Sequence, residues 1–179
     1  MLREILIWPD PRLKKKSAPV RTFDTALHRL LDDMAETMYA AEGVGLAAPQ
    51  VDVLQRILVI DTSPRQEGQK LIEVINPVLV RGEGATTYNE GCLSVPGEAE
   101  EVERFASVDM RFQDRFGKTV EMHAQELLAI AFQHEMDHLE GVLFVDRISA
   151  LKRELIRRRM KKLKSEREHE TPHSEQPAL

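Results

Sequence analysis

The sequence has little of several features that define other protein classes. Among its 179 residues Cys92 is the only cysteine, which excludes an intrachain disulfide and favours a reducing compartment. No apolar run approaches the roughly 20 residues that a membrane-spanning helix needs. The first residues, MLREILIWPDPRLKKKS, contain an apolar run far too short for a signal peptide. These absences predict a cytoplasmic protein that makes no membrane contact.

The composition of the sequence indicates a folded chain with many charged residues. Hydrophobic residues make up 42% and charged residues 31% of the sequence, which is typical of one soluble globular domain. The formal net charge is −5, but the segment LKRELIRRRMKKLK at 151–164 contains eight basic residues and one acidic residue. We expect one domain at 1–165, which includes a basic C-terminal helix at about 149–165, and a polar, disordered tail at 166–179.

Hydrophobic periodicity predicts the elements of this domain. Leucines and methionines from Leu27 to Met38 recur at helical spacing, with Asp24 as the N-cap and Gly43 as the stop. Two strands, a hairpin and a second helix are predicted at 56–62, 70–80, 108–112 with 120–122, and 124–139. Because strands and helices come in blocks, we expect an α+β fold with antiparallel or mixed sheets around the second helix.

The segment FQHEMDHLEGVLF at 132–144 contains the pattern H-E-x-x-H. Because residues four apart lie on one face of a helix, His134 and His138 can bind one cation with both imidazoles. Glu135 lies about 100° round the helix, near enough to act on a water at that cation without being a ligand. The pattern has only three fixed positions, so a helix that carries these residues for other reasons remains an alternative.

Two histidines alone do not complete a metal site. The identity of the third ligand is open at this point. A metzincin would have histidine where this chain has Phe144. Glu154 lies in the basic helix and is typical of an ion-pair partner, while His123 has an ordinary place in an alternating strand. Cys92, in NEGCLSVP, remains as a candidate. A lone cysteine is usually a small buried hydrophobe, but cysteine with two histidines and an open fourth position is a catalytic metal set.

Two further segments are less specific. Leu127, Ile130 and Ala131 extend the histidine face as an apolar wall, which is more often protein core than a substrate pocket. The segment EGVGLAAPQ at 42–50 has glycines and small residues that let a backbone approach a ligand closely. A loop that ends a helix explains it equally well, and a phosphate loop is excluded because no G-K-[ST] follows.

Taken together, GVGLAAPQ, EGCLS and QHEMDH in this order resemble the bacterial-type peptide deformylases. Supporting similarity extends from REILIWPDPRL to GVLFVDRIS, so the resemblance covers roughly residues 1–165 as a single catalytic metallohydrolase domain. It implies hydrolytic removal of the formyl group from the N-terminal formylmethionine of newly made polypeptides, with release of formate. It also implies that Cys92, His134 and His138 bind the metal, usually Fe²⁺, with Zn²⁺, Ni²⁺ or Co²⁺ as ions that a preparation can contain.

The resemblance assigns catalytic roles to three more groups. Glu135 is expected to act as general base on the attacking water and then to deliver a proton to the departing amine. The side-chain amide of Gln50 and the backbone N–H of Leu93 are expected to stabilise negative charge on the formyl oxygen. The reaction implied is therefore hydrolysis with a preorganised site for the oxyanion.

The resemblance also predicts how substrate is held. An extended peptide is expected to add to backbone edges as an extra strand, while the methionine side chain enters a pocket. The predicted substrate-binding residues are Val44, Gly45, Tyr88, Glu90, Gly91, Leu127, Ile130 and Ala131. Two departures from the family pattern, Tyr88 in place of an aliphatic residue and Asn89 in place of an acidic one, leave the shape of the pocket rim open.

The same resemblance predicts an ion pair behind the metal site. Arg104 lies in EVERF, on the strand that follows the cysteine loop. It is expected to pair with Glu90 or Asp137 and so to hold the cysteine loop against the metal-binding helix.

The basic helix has two interpretations. In one it is a solvated face whose Leu151, Leu155 and Leu163 pack on the body. In the other its cations give a sequence-independent attraction to ribosomal phosphate, because the substrate is a nascent chain and similar family members are thought to dock this way. Sequence-specific recognition of nucleic acid is not expected.

Two other classes of function are kept as alternatives. A different metallohydrolase, such as a small peptidase, would need another third ligand, and Cys92 argues against it. A binding protein on this scaffold would be favoured if Glu135 or Gln50 were substituted, and both are present.

Overall fold

The computed structural model describes residues 1–170, and its fold is α+β as the sequence predicts. The helices are α1 (Thr25–Ala40), α2 (Glu126–Leu139) and α3 (Ala150–Glu170). The strands are β1 (Gly45–Ala47), β2 (Ile57–Ile60), β3 (Ile72–Glu83), β4 (Thr86–Cys92), β5 (Val95–Arg104), β6 (Ser107–Gln113) and β7 (Thr119–Gln125). One sheet has the order β1-β2-β3-β6-β7, a second consists of β4 and β5, and neighbouring strands are antiparallel.

The short strand β2 explains why the large sheet is covered on both sides. Its four residues are all fully buried, and successive side chains point to opposite faces. Ile57 and Val59 pack in the cluster that contains α1, whereas Leu58 and Ile60 pack in the cluster that contains α2. Each such side chain stabilises the fold by roughly 1.5–3 kcal/mol. The continuous apolar run ILVI therefore places α1 and α2 on opposite faces of one sheet.

A third apolar cluster joins the small sheet to the N-terminal segment and to α3. Trp8 and Leu13 from the N-terminal segment pack there with Val102 of β5 and with Ile156 and Met160 of α3. The backbone N–H of Trp8 also donates to the carbonyl of Ser94 in the turn between β4 and β5. These contacts hold the β4–β5 hairpin, whose first strand ends at Cys92, against the N-terminal segment and α3.

The start of α1 agrees with the sequence prediction, but its end does not. The side chain of Asp24 accepts a hydrogen bond from the backbone N–H of Leu27, as an N-cap does. The helix ends at Ala40, and the residue with left-handed backbone is Glu42, whose φ is 59°, so the prediction that Gly43 is the stop is wrong. Gly43 instead provides space, because a Cβ there would lie 2.7 Å from Cδ1 of Leu93.

The C-terminal helix differs from its prediction in length and in orientation. It continues to Glu170, because its last residues are good helix formers, so residues 166–170 of the predicted tail are helical and 171–179 lie outside the described residues. Its buried side chains are Ile156 and Met160, whereas Leu151 and Leu155 are exposed. The prediction that these two leucines pack on the body is therefore wrong, although Leu163 is partly buried. Within residues 1–170, no helix is both long and apolar enough to cross a membrane.

Candidate metal centre

The helix α2 turns the H-E-x-x-H pattern into two adjacent buried imidazoles. His134 and His138 are 8% and 0% exposed, and their ring centroids lie 5.1 Å apart. The helical spacing of four residues places both rings on the same side of α2. This side faces the small sheet, from which the third candidate ligand comes.

Cys92 is the last residue of β4 and brings its sulfur to the two histidines. Its Sγ lies 3.4 Å from Nε2 of His138, and one ligand atom from each of the three residues lies within 4.8 Å of the others. A tetrahedral ion with bonds of about 2.1 Å to nitrogen and 2.3 Å to sulfur separates those two atoms by about 3.6 Å. The nitrogen–sulfur distance and the donor types therefore fit a zinc-like or first-row transition metal ion.

The charges around the two histidines also favour a cation. Burial alone lowers the pKa of His134, but interactions with Cys92 and Glu90 outweigh burial and raise that pKa well above its ordinary value. Burial and the neighbouring positive charge of His134 lower the pKa of His138 well below its ordinary value. Cys92 and Glu90 thus favour positive charge beside His134, and a metal ion bound to all three donors would supply it without protonating either ring.

Glu135 is a buried carboxylate next to these donors. It is 5% exposed, and its Oε2 has no hydrogen-bond partner among the described residues. Burial raises the pKa of Glu135 to about 7. Its other oxygen contacts β1 so closely that a Cβ on Gly45 would lie 2.6 Å from Oε1. A glycine at this position is therefore what allows the carboxylate to lie between α2 and β1, and the unpaired oxygen is free to accept a proton.

Gln50 has a side-chain amide whose orientation is fixed. Its Oε1 accepts a hydrogen bond of 2.9 Å from the backbone N–H of Ala47, which leaves the amide nitrogen to donate. That nitrogen lies 3.0 Å from Oγ of Ser94 and 3.6 Å from Sγ of Cys92. The amide of Gln50 is thus aimed at the sulfur side of the candidate metal centre. Leu93, between Cys92 and Ser94, lies in the same turn.

A cavity of about 520 Å³ opens beside the donors. It lies between β1, the β4–β5 hairpin and α2, and His134 and Glu135 form part of its wall. All eight predicted substrate-binding residues line it: Val44, Gly45, Tyr88, Glu90, Gly91, Leu127, Ile130 and Ala131. Ile130 and Ala131 are buried, whereas Val44 and Tyr88 are 44% and 41% exposed at the rim. Asn89, where the sequence departs from the family pattern, lines the same cavity.

Arg104 forms ion pairs with both of the carboxylates that were expected as alternatives, Glu90 and Asp137. It donates from Nε and Nη2 to the two oxygens of Glu90 at 2.7 and 2.8 Å, and from Nη1 to Asp137 at 2.7 Å. Glu90 in turn accepts from Nδ1 of His134 at 2.8 Å. Burial raises the pKa of Glu90, but the hydrogen bonds from Arg104 and His134 outweigh it and hold that pKa below its ordinary value. Glu90 is therefore ionised and orients His134.

Two contacts at the candidate site could not be predicted from the sequence pattern. The N–H of Ala47 that orients Gln50 belongs to the backbone, and the contact between Glu90 and His134 joins residues 44 positions apart. The two residues rejected as third ligands lie elsewhere: His123 pairs with Asp109 on β6, and Glu154 pairs with arginines of its own helix.

The sequence and the fold of this chain both resemble those of known proteins. The family model described as polypeptide deformylase matches residues 2–154. A peptide deformylase of Thermodesulfovibrio yellowstonii is 50% identical over 158 residues, which cover 88% of this chain and 96% of that protein. A crystal structure of a peptide deformylase from Legionella pneumophila has a TM-score of 0.89 at 45% identity and covers 96% of this chain and 100% of its own. Another, from Ehrlichia chaffeensis in complex with actinonin, has a TM-score of 0.87 at 37% identity and covers 90% of this chain and 97% of its own.

Proposed function

The chain belongs to the polypeptide deformylase family and is a hydrolase, and from that premise we propose how its own residues remove the formyl group from formylmethionyl nascent peptides. The observation that carries the proposal is the position of Glu135, a buried carboxylate with one unpaired oxygen beside a cysteine–histidine–histidine donor set. Such a set has room for a fourth ligand, which is a property of catalytic metal sites.

We infer that Cys92, His134 and His138 hold one divalent ion. When bound, the ion polarises the formyl oxygen and makes water at the site more acidic. Fe²⁺ is the proposed native ion, and Zn²⁺, Ni²⁺ or Co²⁺ are proposed to replace it in preparations. Because oxygen attacks both Fe²⁺ and a thiolate, protein loaded with Fe²⁺ should lose activity in air faster than protein loaded with Ni²⁺. Equal half-lives of the two forms in air would contradict inactivation by oxidation of the bound iron.

The remaining steps belong to the side chains. Glu135 takes a proton from the attacking water, which adds to the formyl carbon, and later delivers a proton to the departing amine nitrogen. The amide of Gln50, held by the N–H of Ala47, and the backbone N–H of Leu93 donate to the oxygen that becomes negative. Because Gln50 is already oriented, little reorganisation is needed when that charge develops.

Substrate is proposed to bind as an added strand. Gly45 lies in β1 and Gly91 in β4, and both line the cavity without a side chain between their backbone and the cavity. The methionine side chain would enter between Leu127, Ile130 and Ala131, whose apolar surfaces match its thioether chain. Tyr88 at the rim is proposed to contact the residue after methionine rather than the formyl group.

The helix α3 is proposed to contact the ribosome through exposed cations that make no ion pair with another element among residues 1–170, although Arg158 pairs with Glu154 of its own helix. Lys152 and Arg159 pair with Glu100 and Glu98 of β5, so these two are structural. Arg158, Lys161 and Lys162 are exposed, and we refer to them as the outer cations. They would be attracted to ribosomal phosphate without reading its sequence.

The activity is tested by measuring formate from a short formylmethionyl peptide with anaerobically purified, metal-assayed protein. Release of formate, with no cleavage of internal peptide bonds and no reaction of the acetylated peptide, supports the proposal. Cleavage of internal bonds would favour a peptidase, and binding of the peptide without formate release would favour a non-catalytic protein.

A further inference from the structure

Arg147 is a partly exposed arginine that forms an ion pair with a carboxylate of α2. It ends the short turn Phe144–Arg147 that follows α2. Its Nε and Nη2 donate to Oδ2 and Oδ1 of Asp137 at 2.7 and 2.9 Å, so the contact is bidentate. The side chain of Arg147 is 44% exposed, whereas that of Asp137 is 17% exposed.

From Arg147 a chain of opposite charges leads to the candidate metal centre. Asp137 accepts from Arg104, Arg104 donates to both oxygens of Glu90, and Glu90 accepts from His134, with shortest distances of 2.7, 2.7 and 2.8 Å. Exposure of the side chains falls from 44% at Arg147 to 3% at Arg104 and Glu90. The contacts are continuous, so each group limits the freedom of the next.

Arg147 also balances the charges in this series of ion pairs. Arg104 alone has one positive charge against the two carboxylates of Glu90 and Asp137, and Arg147 provides the second. Among the described residues, Arg147 is the partner that the structure records for Oδ1 of Asp137. Without it, Asp137 would have one fixed contact instead of three, and Arg104 would lose a rigid acceptor for its Nη1.

The two histidines depend on this chain to different degrees. A carboxylate can only accept, so Glu90 keeps the proton of His134 on Nδ1 and leaves Nε2 to bind a cation. In contrast, Nδ1 of His138 has no hydrogen-bond partner among residues 1–170. Hydrogen-bonded orientation of the metal-binding rings therefore comes through His134.

We propose that Arg147 is a positioning residue for the metal centre, because it fixes Asp137 and, through Arg104 and Glu90, the orientation and tautomer of His134. The inference rests on the proposed function only in taking His134 as a metal ligand. The alternative is a purely structural role, in which Arg147 holds the C-terminal end of α2 in place.

Another arginine of this protein provides a matched control for that structural role. Arg56 pairs with Glu140, the C-cap residue of α2, at 2.6 Å, so it clamps the same end of the helix. Arg56 and Glu140 make no recorded contact with Glu90 or Arg104. Arg147→Gln and Arg56→Gln therefore each remove one cation from the same helix end, but only the first interrupts the chain to His134.

The test uses Co²⁺ as the probe and does not depend on turnover. Each variant is loaded with Co²⁺, its visible spectrum is recorded, and the rate of Co²⁺ loss to an excess of chelator is measured. Loss of a direct outer partner of a metal ligand costs about 10–100-fold in affinity, so a more distant partner should increase the loss rate about threefold to tenfold. We expect this for Arg147→Gln, together with a shifted spectrum, and a rate within about twofold of wild type for Arg56→Gln.

Arg147→Lys supplies a rescue, because lysine keeps the charge but not the bidentate geometry. It should recover part of the Co²⁺ retention. Equal rates for Arg147→Gln and Arg56→Gln, a rate for Arg147→Gln equal to wild type, or no recovery with lysine would overturn the inference. Thermal unfolding of each variant checks that the fold is retained. Failure of wild-type protein to bind Co²⁺ would instead contradict the proposed metal centre itself.

Discussion

The helices α2 and α3 both carry charged sequence patterns, but they use their polar residues in opposite ways. On α2, His134, Glu135 and His138 are buried and lie next to a cysteine from another element. On α3 only Ile156 and Met160 are buried, and most of the cations are exposed. One helix therefore has its chemistry inside the fold, and the other has its charge at the surface.

This difference shows that a buried polar residue has fewer possible roles than an exposed one. Burying an ionisable group is costly unless it is paired or binds a metal, so the polar face of α2 has few physical explanations. Exposed charges cost little, and surface ion pairs contribute about 0–1 kcal/mol, so the cations of α3 are compatible with many functions. The predictions below test each side of this comparison.

The largest effect is expected for Cys92→Ala. It removes one of the three proposed metal ligands and the only sulfur among them, so metal content should fall from about one ion per chain to near zero, and formate release should fall below detection. Cys92→Asp, which restores an anionic donor, should retain part of the metal with poor turnover. Full metal occupancy in the folded alanine variant would rule out Cys92 as a ligand.

A smaller loss is expected for Gly45→Ala. Its Cβ would lie 2.6 Å from Oε1 of Glu135, so that carboxylate must move. A displacement of about 1 Å at a reacting group can lower the rate by about 10²-fold, and we expect a decrease of that order in kcat with metal content unchanged.

The comparison variant is Gly91→Ala on the facing wall of the cavity. There an added Cβ would have no neighbour closer than 3.4 Å, so the decrease in kcat should be smaller. Equal kcat values for Gly45→Ala and wild type would show that the position of Glu135 against β1 does not matter.

The smallest effect on hydrolysis is expected from the outer cations. Replacing Arg158, Lys161 and Lys162 with glutamine should leave formate release from a short peptide within about twofold of wild type, since these exposed charges do not line the cavity and are screened by solvent and salt. Ribosome association should weaken and become less sensitive to salt. The paired control replaces Lys152 and Arg159, which contact β5 instead. Salt-insensitive, unchanged association in the outer variant would leave α3 as a solvated face.

The sequence predicts α2 well because its pattern is local. His134 and His138 are four residues apart, and any helix through them brings the rings together. Comparison of possible third ligands left Cys92 as a candidate, and the resemblance then implied that it is one. The structure brings its sulfur to the two histidines, although the metal-binding role of the three residues stays a prediction. The strands β6 and β7 were also predictable, because alternation marks the buried face of a hairpin.

Features that depend on the shape of the rest of the molecule could not be predicted in this way. Along α3, Leu151 with Leu155 and Ile156 with Met160 form two apolar stripes about 140° apart, so periodicity supports either as the buried face. The position of Trp8 selects the second stripe. The close contact between Gly45 and Glu135 likewise joins two elements that are distant in sequence.

The most direct test of the account is a single comparison of metal content and formate release in Glu135→Gln. Glutamine is nearly isosteric, and Glu135 is not among the three donors, so the variant should bind as much metal as wild type. Because the general base is lost, formate release should fall by about 10²–10⁴-fold. A variant that keeps near-wild-type turnover, or that loses its metal, would contradict the assignment of Glu135 as the base beside a cysteine–histidine–histidine centre.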